Sequence, residues 1–300
     1  MAIRVLDAYQ VYNVDRRSRQ VSQQVLASIR YEDIHPEANP VELYEAPDGQ
    51  WMTRLPTECA VPPSIPSYDS FSSYVQTLST WEGNLLQHVV LALDPAYLCF
   101  DLQLYFYAGT DGSVKLKTHG AYGWMLSNTE GVRVAWASGP ARSAQMDSYR
   151  AECTGMLSLL RFLARIAVFT NMDDPWRDLL GTDSQSLLDR LYVKGTSPAQ
   201  QQLAKLDPLD AEWDLLVEIQ HTLRDLPGVD LTYVKSHQDD KKVYDRLPLM
   251  AQLNVDPDRP AGEYNRAHGA QRPFSIMTPS AGAMLVTDDG TLTSTFASEL

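Results

Sequence analysis

The order of short apolar runs between residues 100 and 265 constrains this chain more than any other feature. LQLYFYAGT, GAYGWMLSN and GVRVAWASG are three successive stretches rich in aromatic and aliphatic residues, each bounded by glycine or polar residues. That pattern predicts three consecutive antiparallel strands. The first ends in Thr-Asp-Gly-Ser, where Asp-Gly reads as a turn. SYRAECTGMLSLLRFLARIAVF follows and predicts a long helix, with Asp147 or Ser148 as its N-cap. WRDLLGTDS then reads as a strand leading into the helix QSLLDRLYV, DAEWDLLVEIQHTLRDL as a further amphipathic helix, and VDLTYVKSH as a strand. A last helix is predicted near 257 to 265. Such an order makes an α/β protein, a mixed sheet with helices packed on it.

The flanks are less regular. Residues 34 to 69 are rich in proline and acid and show no period, so the whole of 1 to 69 is expected to be extended and irregular. From Ser70 to Leu91, Tyr74, Leu78, Trp81, Leu85 and Val89 recur at spacings of three and four. They predict one helix in a connection segment, 70 to 99, that packs on the domain at 100 to 265. Residues 266 to 300 are left as a C-terminal tail.

Composition bounds the function. The net charge is −13, which is awkward for binding phosphate, so any nucleic-acid contact must come from a local basic patch, from bound cations or from a partner. Three cysteines, Cys59, Cys99 and Cys153, are an odd number with no close pairs, which argues against a disulfide framework or a zinc site. The best candidate for a membrane span, Leu85 to Tyr107, is broken by Gln87, His88, Asp94 and Pro95, and no apolar stretch is expected to cross a bilayer. The first residues lack the basic-then-apolar order of a secretory signal. An intracellular location, cytoplasm or nucleus, is expected, with no membrane partner.

The carboxylates are the informative residues. Asp111 and Asp183 each end a strand, Glu152 starts the inward stripe of the long helix, where Met156, Leu159, Leu160 and Leu163 continue it, and Asp258 enters the last helix. Taken singly, each has a bland reading as a turn, a helix-dipole partner, a cap or an exposed acidic loop. Taken together, they are four carboxylates at one edge of a sheet, which repel one another unless divalent cations are bound. Oxygen-only ligands suit Mg²⁺ or Mn²⁺.

With these residues in view, the chain resembles the ribonuclease H domain, in particular the type attached to retroelement reverse transcriptases. The resemblance lies in TDGS (110 to 113), GAYGW (120 to 124), SYRAE (148 to 152), TDSQS (182 to 186), YVKSHQDD (233 to 240) and LNVDPDRPAGEYN (253 to 265), in the family's order. It implies a ribonuclease H-like fold: a mixed five-stranded sheet, three antiparallel strands first and parallel strands after. It also implies Asp111, Glu152, Asp183 and Asp258 as the ligands of two Mg²⁺ ions, with Mn²⁺ as a substitute. Asp256 is the rival for the fourth place, and the spacing to Ala261 selects Asp258. His237 matches the family's auxiliary loop histidine, and Gln185 a residue that touches the substrate's minor groove. Gly112, Ser113, Ser148, Tyr149, Arg150 and Ser184 fall where the family contacts nucleic acid.

The activity so implied is metal-dependent hydrolysis of the RNA strand of an RNA/DNA hybrid, in a reverse transcriptase or a larger assembly that supplies affinity. Two other readings compete. A transposase or integrase of the same broad fold usually carries its catalytic glutamate last, whereas Glu152 comes second. A degenerate domain kept as a scaffold suits the acidic surface and Pro257 and Pro260, the second of which disfavours helical geometry at Arg259.

Overall fold

The computed structural model describes residues 68 to 268, apart from 96–97, 99–105, 116–119, 143–145, 173–177, 194–201 and 208–209, and the backbone of strands towards both ends of the chain. Three strands lie near the N-terminus, β1 (Ala2–Val5), β2 (Ala8–Val14) and β3 (Val21–Arg30), followed by a hairpin of β4 (Glu42–Glu45) and β5 (Trp51–Arg54). The region expected to be irregular therefore contains regular backbone pairing.

The connection segment forms two helices, α1 (Phe71–Val75) and α2 (Thr80–Leu86), where the spacing predicts one. The apolar face is as expected, with Tyr74, Trp81 and Leu85 buried. The break comes where Thr77 turns its hydroxyl back to the Tyr74 carbonyl and Ser79 adopts an extended ψ of 148° before the second helix. A two-residue strand, β6 (Val90–Leu91), follows.

The central sheet has the order β11-β10-β7-β8-β9-β6. Its antiparallel part is β7 (Phe106–Val114), β8 (Gly120–Asn128), β9 (Arg133–Ala141) and the short edge strand β6. Its parallel part is β10 (Asp178–Thr182) and β11 (Val229–Tyr233), added on the other side of β7. This is the mixed α/β sheet expected, with β6 as a sixth strand. One local reading is corrected: Asp111 and Gly112 do not turn. Their strand runs on to Val114 and pairs with β8 as far as Gly120, because the ladder across from GAYGW satisfies their backbone groups.

The long helix, α3 (Ser148–Thr170), packs on this sheet, and Asp147 is its N-cap, accepting from the Arg150 amide at 2.7 Å. It spans 23 residues, and an 18-residue window of it is long and apolar enough to cross a membrane by length and composition, which corrects the expectation that no stretch is. In the fold, 67% of that window is buried inside the protein, which makes it the core helix of the sheet. Trp124, Phe162, Leu160 and Leu180 lie in that core. Helices α4 (Gln185–Leu191) and α5 (Trp213–Asp225) follow, then α6 (Leu249–Val255) and α7 (Asp258–His268).

Pro260 does not disturb α7. The first intrahelical bond runs from the Ala261 amide to the Pro257 carbonyl at 3.1 Å, so Pro260 lies in the first turn, where an N–H has no helical partner to lose. Arg259 is helical, contrary to expectation. Towards the C-terminus, β12 (Ala283–Thr287) pairs with β1 and with β13 (Gly290–Leu292), giving a second sheet ordered β13-β12-β1-β2-β3.

Candidate metal centre

The parallel register builds half of the site. Thr182 of β10 lies opposite Thr110 of β7, so Asp183 and Asp111, each the next residue, leave adjacent strands side by side. The N-terminal part of α3 supplies the other half. A Cβ on Gly112 would lie 2.7 Å from both the Ala151 Cβ and the Glu152 nitrogen, so only glycine lets the helix come this close to the strand. The Gly112 amide then donates to Asp111 Oδ1 at 2.7 Å and to Glu152 Oε1 at 3.0 Å. It ties the two carboxylates together, and a donor so used is not free for a substrate, the role the sequence suggested for it.

One ligand atom from each of Asp111, Glu152 and Asp183 lies within 4.8 Å of the others. Burial and mutual repulsion outweigh the hydrogen bonds that favour the charged forms of these acids. Burial, then the charges of Asp183 and Asp258, push Asp111 up to about 7. Burial, then Asp111 and Asp183, raise Glu152 as well. Burial also raises Asp183, opposed by a hydrogen bond from Asn254 and by the charge of His237. Glu152 Oε2 is buried and has no hydrogen-bond partner among the described residues. An orphaned carboxylate oxygen in a cluster of raised acids fits a divalent cation, which would supply the missing positive charge.

The four acidic candidates are not equivalent. Asp258 stands at the exposed start of α7, outside the close group of three but near enough to raise Asp111. Asp256 is consumed elsewhere: Arg133 Nε donates to its Oδ2 at 2.8 Å and the Tyr244 hydroxyl to its Oδ1 at 2.5 Å. His237 is exposed in the loop after β11, in the left-handed region at φ 51°, and its charge acts on Asp183.

The substrate-side candidates divide more sharply. Arg150 is corrected: it is 2% exposed, and its guanidinium is spent on Glu212, on Asp214 at 2.9 and 3.0 Å, and on the Arg142 carbonyl at 2.7 Å. It fastens α5 to the start of α3 and has nothing left for nucleic acid. Tyr149 is half-buried, with the Arg190 guanidinium 5.2 Å from its ring centroid. Ser148 is exposed at the start of α3, and Gln185 is exposed at the start of α4, where its amide donates to Asp189 at 2.7 Å. The Ser184 amide donates to Thr182 Oγ1, and the Ser113 carbonyl accepts from Asn265 at 2.7 Å. Asn254, beside Asp183, is not singled out by the sequence; its one signal is its place four residues before Asp258.

The raised carboxylates link protonation to folding. Asp111 is pushed up to about 7 in the fold, against the ordinary 3.8 of an aspartate in the unfolded chain. Between those pH values the folded chain holds more protons, so stability falls as pH rises through that window. Urea unfolding in EDTA is expected to give a less stable protein at pH 8 than at pH 5. Each unit of displacement is worth about 1.4 kcal/mol. Asp111→Asn is expected to flatten the slope, and Mg²⁺ to restore stability at pH 8; an identical slope in the variant would contradict the site's electrostatics.

No protein-family model matches the chain, and no curated protein matches it. Solved structures do. LC11-RNase H1 in complex with an RNA/DNA hybrid is 13% identical with a TM-score of 0.39, covering 54% of this chain and 96% of that one. RNase H1 from the halophilic archaeon Halobacterium salinarum is 21% identical with a TM-score of 0.31, covering 51% and 98%. The foamy viral protease-reverse transcriptase in complex with an RNA/DNA hybrid is 12% identical with a TM-score of 0.35, covering 54% of this chain and 20% of that one.

Proposed function

We propose that the chain is a divalent-cation-dependent nuclease that hydrolyses the RNA strand of an RNA/DNA hybrid, acting inside the cell as part of a retroelement reverse transcriptase or an assembly containing one. The observation that carries this reading is the convergence of Asp111, Glu152 and Asp183 from two strands and a helix, with ligand atoms within 4.8 Å and a buried Glu152 oxygen left without a partner. A purely structural cluster would have been neutralised by arginine or lysine, as Asp256 is by Arg133. The prolines beside Asp258, which favoured a degenerate scaffold, lose that weight now that Pro260 lies in the first turn of a formed helix.

Asp111, Glu152 and Asp183 would hold Mg²⁺ or Mn²⁺, with Asp258 at the open side for a second ion. When bound, such cations lower the pKa of a water and neutralise charge developing on the phosphodiester. The chain's own residues do the rest. Gly112 fixes the angle between Asp111 and Glu152 through its amide. His237, exposed in the loop after β11 and near enough for its charge to act on Asp183, would pass a proton to the departing 3′-oxygen. Gln185 and Ser148, exposed at the starts of α4 and α3, would touch the duplex. Selection of the RNA strand would come from 2′-hydroxyl contacts and minor-groove shape. The charge of −13 implies weak binding by the isolated chain, with affinity supplied by a tethered polymerase.

The test is cleavage of an end-labelled RNA/DNA hybrid by the full chain in Mg²⁺ or Mn²⁺. Cleavage of the RNA strand to 5′-phosphate and 3′-hydroxyl ends is expected, and none with Asp183→Asn. A folded chain inert in both metals would overturn the reading.

A further inference from the structure

Asn254 lies in α6, one helical turn before Asp258, and is 5% exposed. α6 reaches the sheet at Gly109, where a Cβ would stand 1.9 Å from the Leu253 carbonyl oxygen and 3.1 Å from the Asn254 nitrogen. That approach seats a primary amide beside the Asp183 carboxylate, whose charged form a hydrogen bond from Asn254 favours. The other end of the amide, Oδ1, is buried and accepts no hydrogen bond from the described residues. A buried acceptor without a donor is unfavourable, so its retention calls for a donor from outside the chain. Asp111, Glu152 and Asp183, once ionised, offer only acceptors. Glu152 Oε2 is in the same condition, so two elements, α3 and α6, each leave one buried oxygen unpaired among the described residues around the cluster.

We propose that Asn254 is a positioning residue for cation binding: Nδ2 fixes the Asp183 carboxylate while Oδ1 accepts from the water shell of a divalent cation held by Asp111, Glu152 and Asp183. The inference rests on the nuclease reading and deepens it by adding a neutral residue to the acidic set. Groups that orient metal ligands typically change metal affinity about 10- to 100-fold when removed.

Two measurements on the full chain test it, calorimetric titration with Mn²⁺ and thermal unfolding in EDTA. Asn254→Leu, similar in size and without polar atoms, is expected to weaken Mn²⁺ binding about 10- to 100-fold. Its Tm in EDTA is expected to stay level or rise, because an unsatisfied acceptor has been removed. Equal Mn²⁺ affinity in the leucine variant and the unmodified chain would overturn the proposal and leave the nuclease reading standing. A fall in the leucine variant's Tm in EDTA would also overturn it, by showing the amide to be structural. Absence of Mn²⁺ binding by the unmodified chain would overturn both readings.

Discussion

Glu152→Gln is expected to reduce hybrid cleavage by about a thousandfold or more while making the metal-free protein more stable. The two effects have one origin. Glu152 is a buried carboxylate raised by burial and by Asp111 and Asp183, so its charge is a liability to the fold. An amide of the same shape keeps an oxygen to accept from Gly112, a bond of 3.0 Å in the unmodified chain, and removes the repulsion. It also removes one of three charges that would bind the cation, whose stabilisation of the transition state amounts to several kcal/mol, and about 1.4 kcal/mol is a factor of ten in rate. Cleavage assays beside urea unfolding in EDTA read both. A variant that loses activity and stability together would mean that Glu152 serves the fold.

The largest expected loss of stability lies away from the site. Glu82 on α2 is 2% exposed and accepts from Arg161 Nε at 2.7 Å and Nη2, and from Arg165 Nε at 2.6 Å and Nη2 at 2.7 Å. The Arg161 guanidinium also lies 5.2 Å from the Trp81 ring centroid and 3.8 Å from Glu218. Glu82→Ala leaves the buried Arg161 short of its main partner, and breaking such a pair costs about 3–5 kcal/mol. Replacing Glu82 and Arg161 together by methionine is expected to cost much less, because neither charge is then stranded. Equilibrium unfolding checks both. If Glu82→Ala unfolds at the urea concentration of the unmodified chain, the clamp contributes nothing. If it acts as expected, α2 is an integral part of the domain and not a mere connection.

What the sequence revealed follows the range of the forces involved. Strands and helices at 106 to 268 were legible because alternation and helical spacing are local, and so was Asp147 as a cap. The break between α1 and α2 was not, since Tyr74, Leu78, Trp81 and Leu85 keep helical spacing across it. Asp111-Gly112 reads as a turn because the partner that straightens it, Gly120 to Gly123, is fixed only by pairing. Arg150 reads as a nucleic-acid contact for a related reason: nothing near SYRAE announces that Glu212 and Asp214, more than sixty residues on, neutralise it. The acidic residues stood out because carboxylates on apolar faces are conspicuous. The neutral Asn254, whose role depends wholly on what surrounds it, did not.

Gly109 and Gly112 carry one more implication. The first meets the α6 backbone and the second the first turns of α3, so the distances between the acidic side chains are set by main-chain contacts and by the ladder between β7 and β10. The hydrophobic interior beneath can therefore drift through many apolar combinations without detuning the site. These two positions cannot accept even a methyl group without moving a helix. In a saturation-mutagenesis survey they should stand out, with Gly123, where a Cβ would stand 2.4 Å from the Pro257 carbonyl oxygen, as points of intolerance beside a permissive core, mapping the chemistry through residues that have no side chain to take part in it.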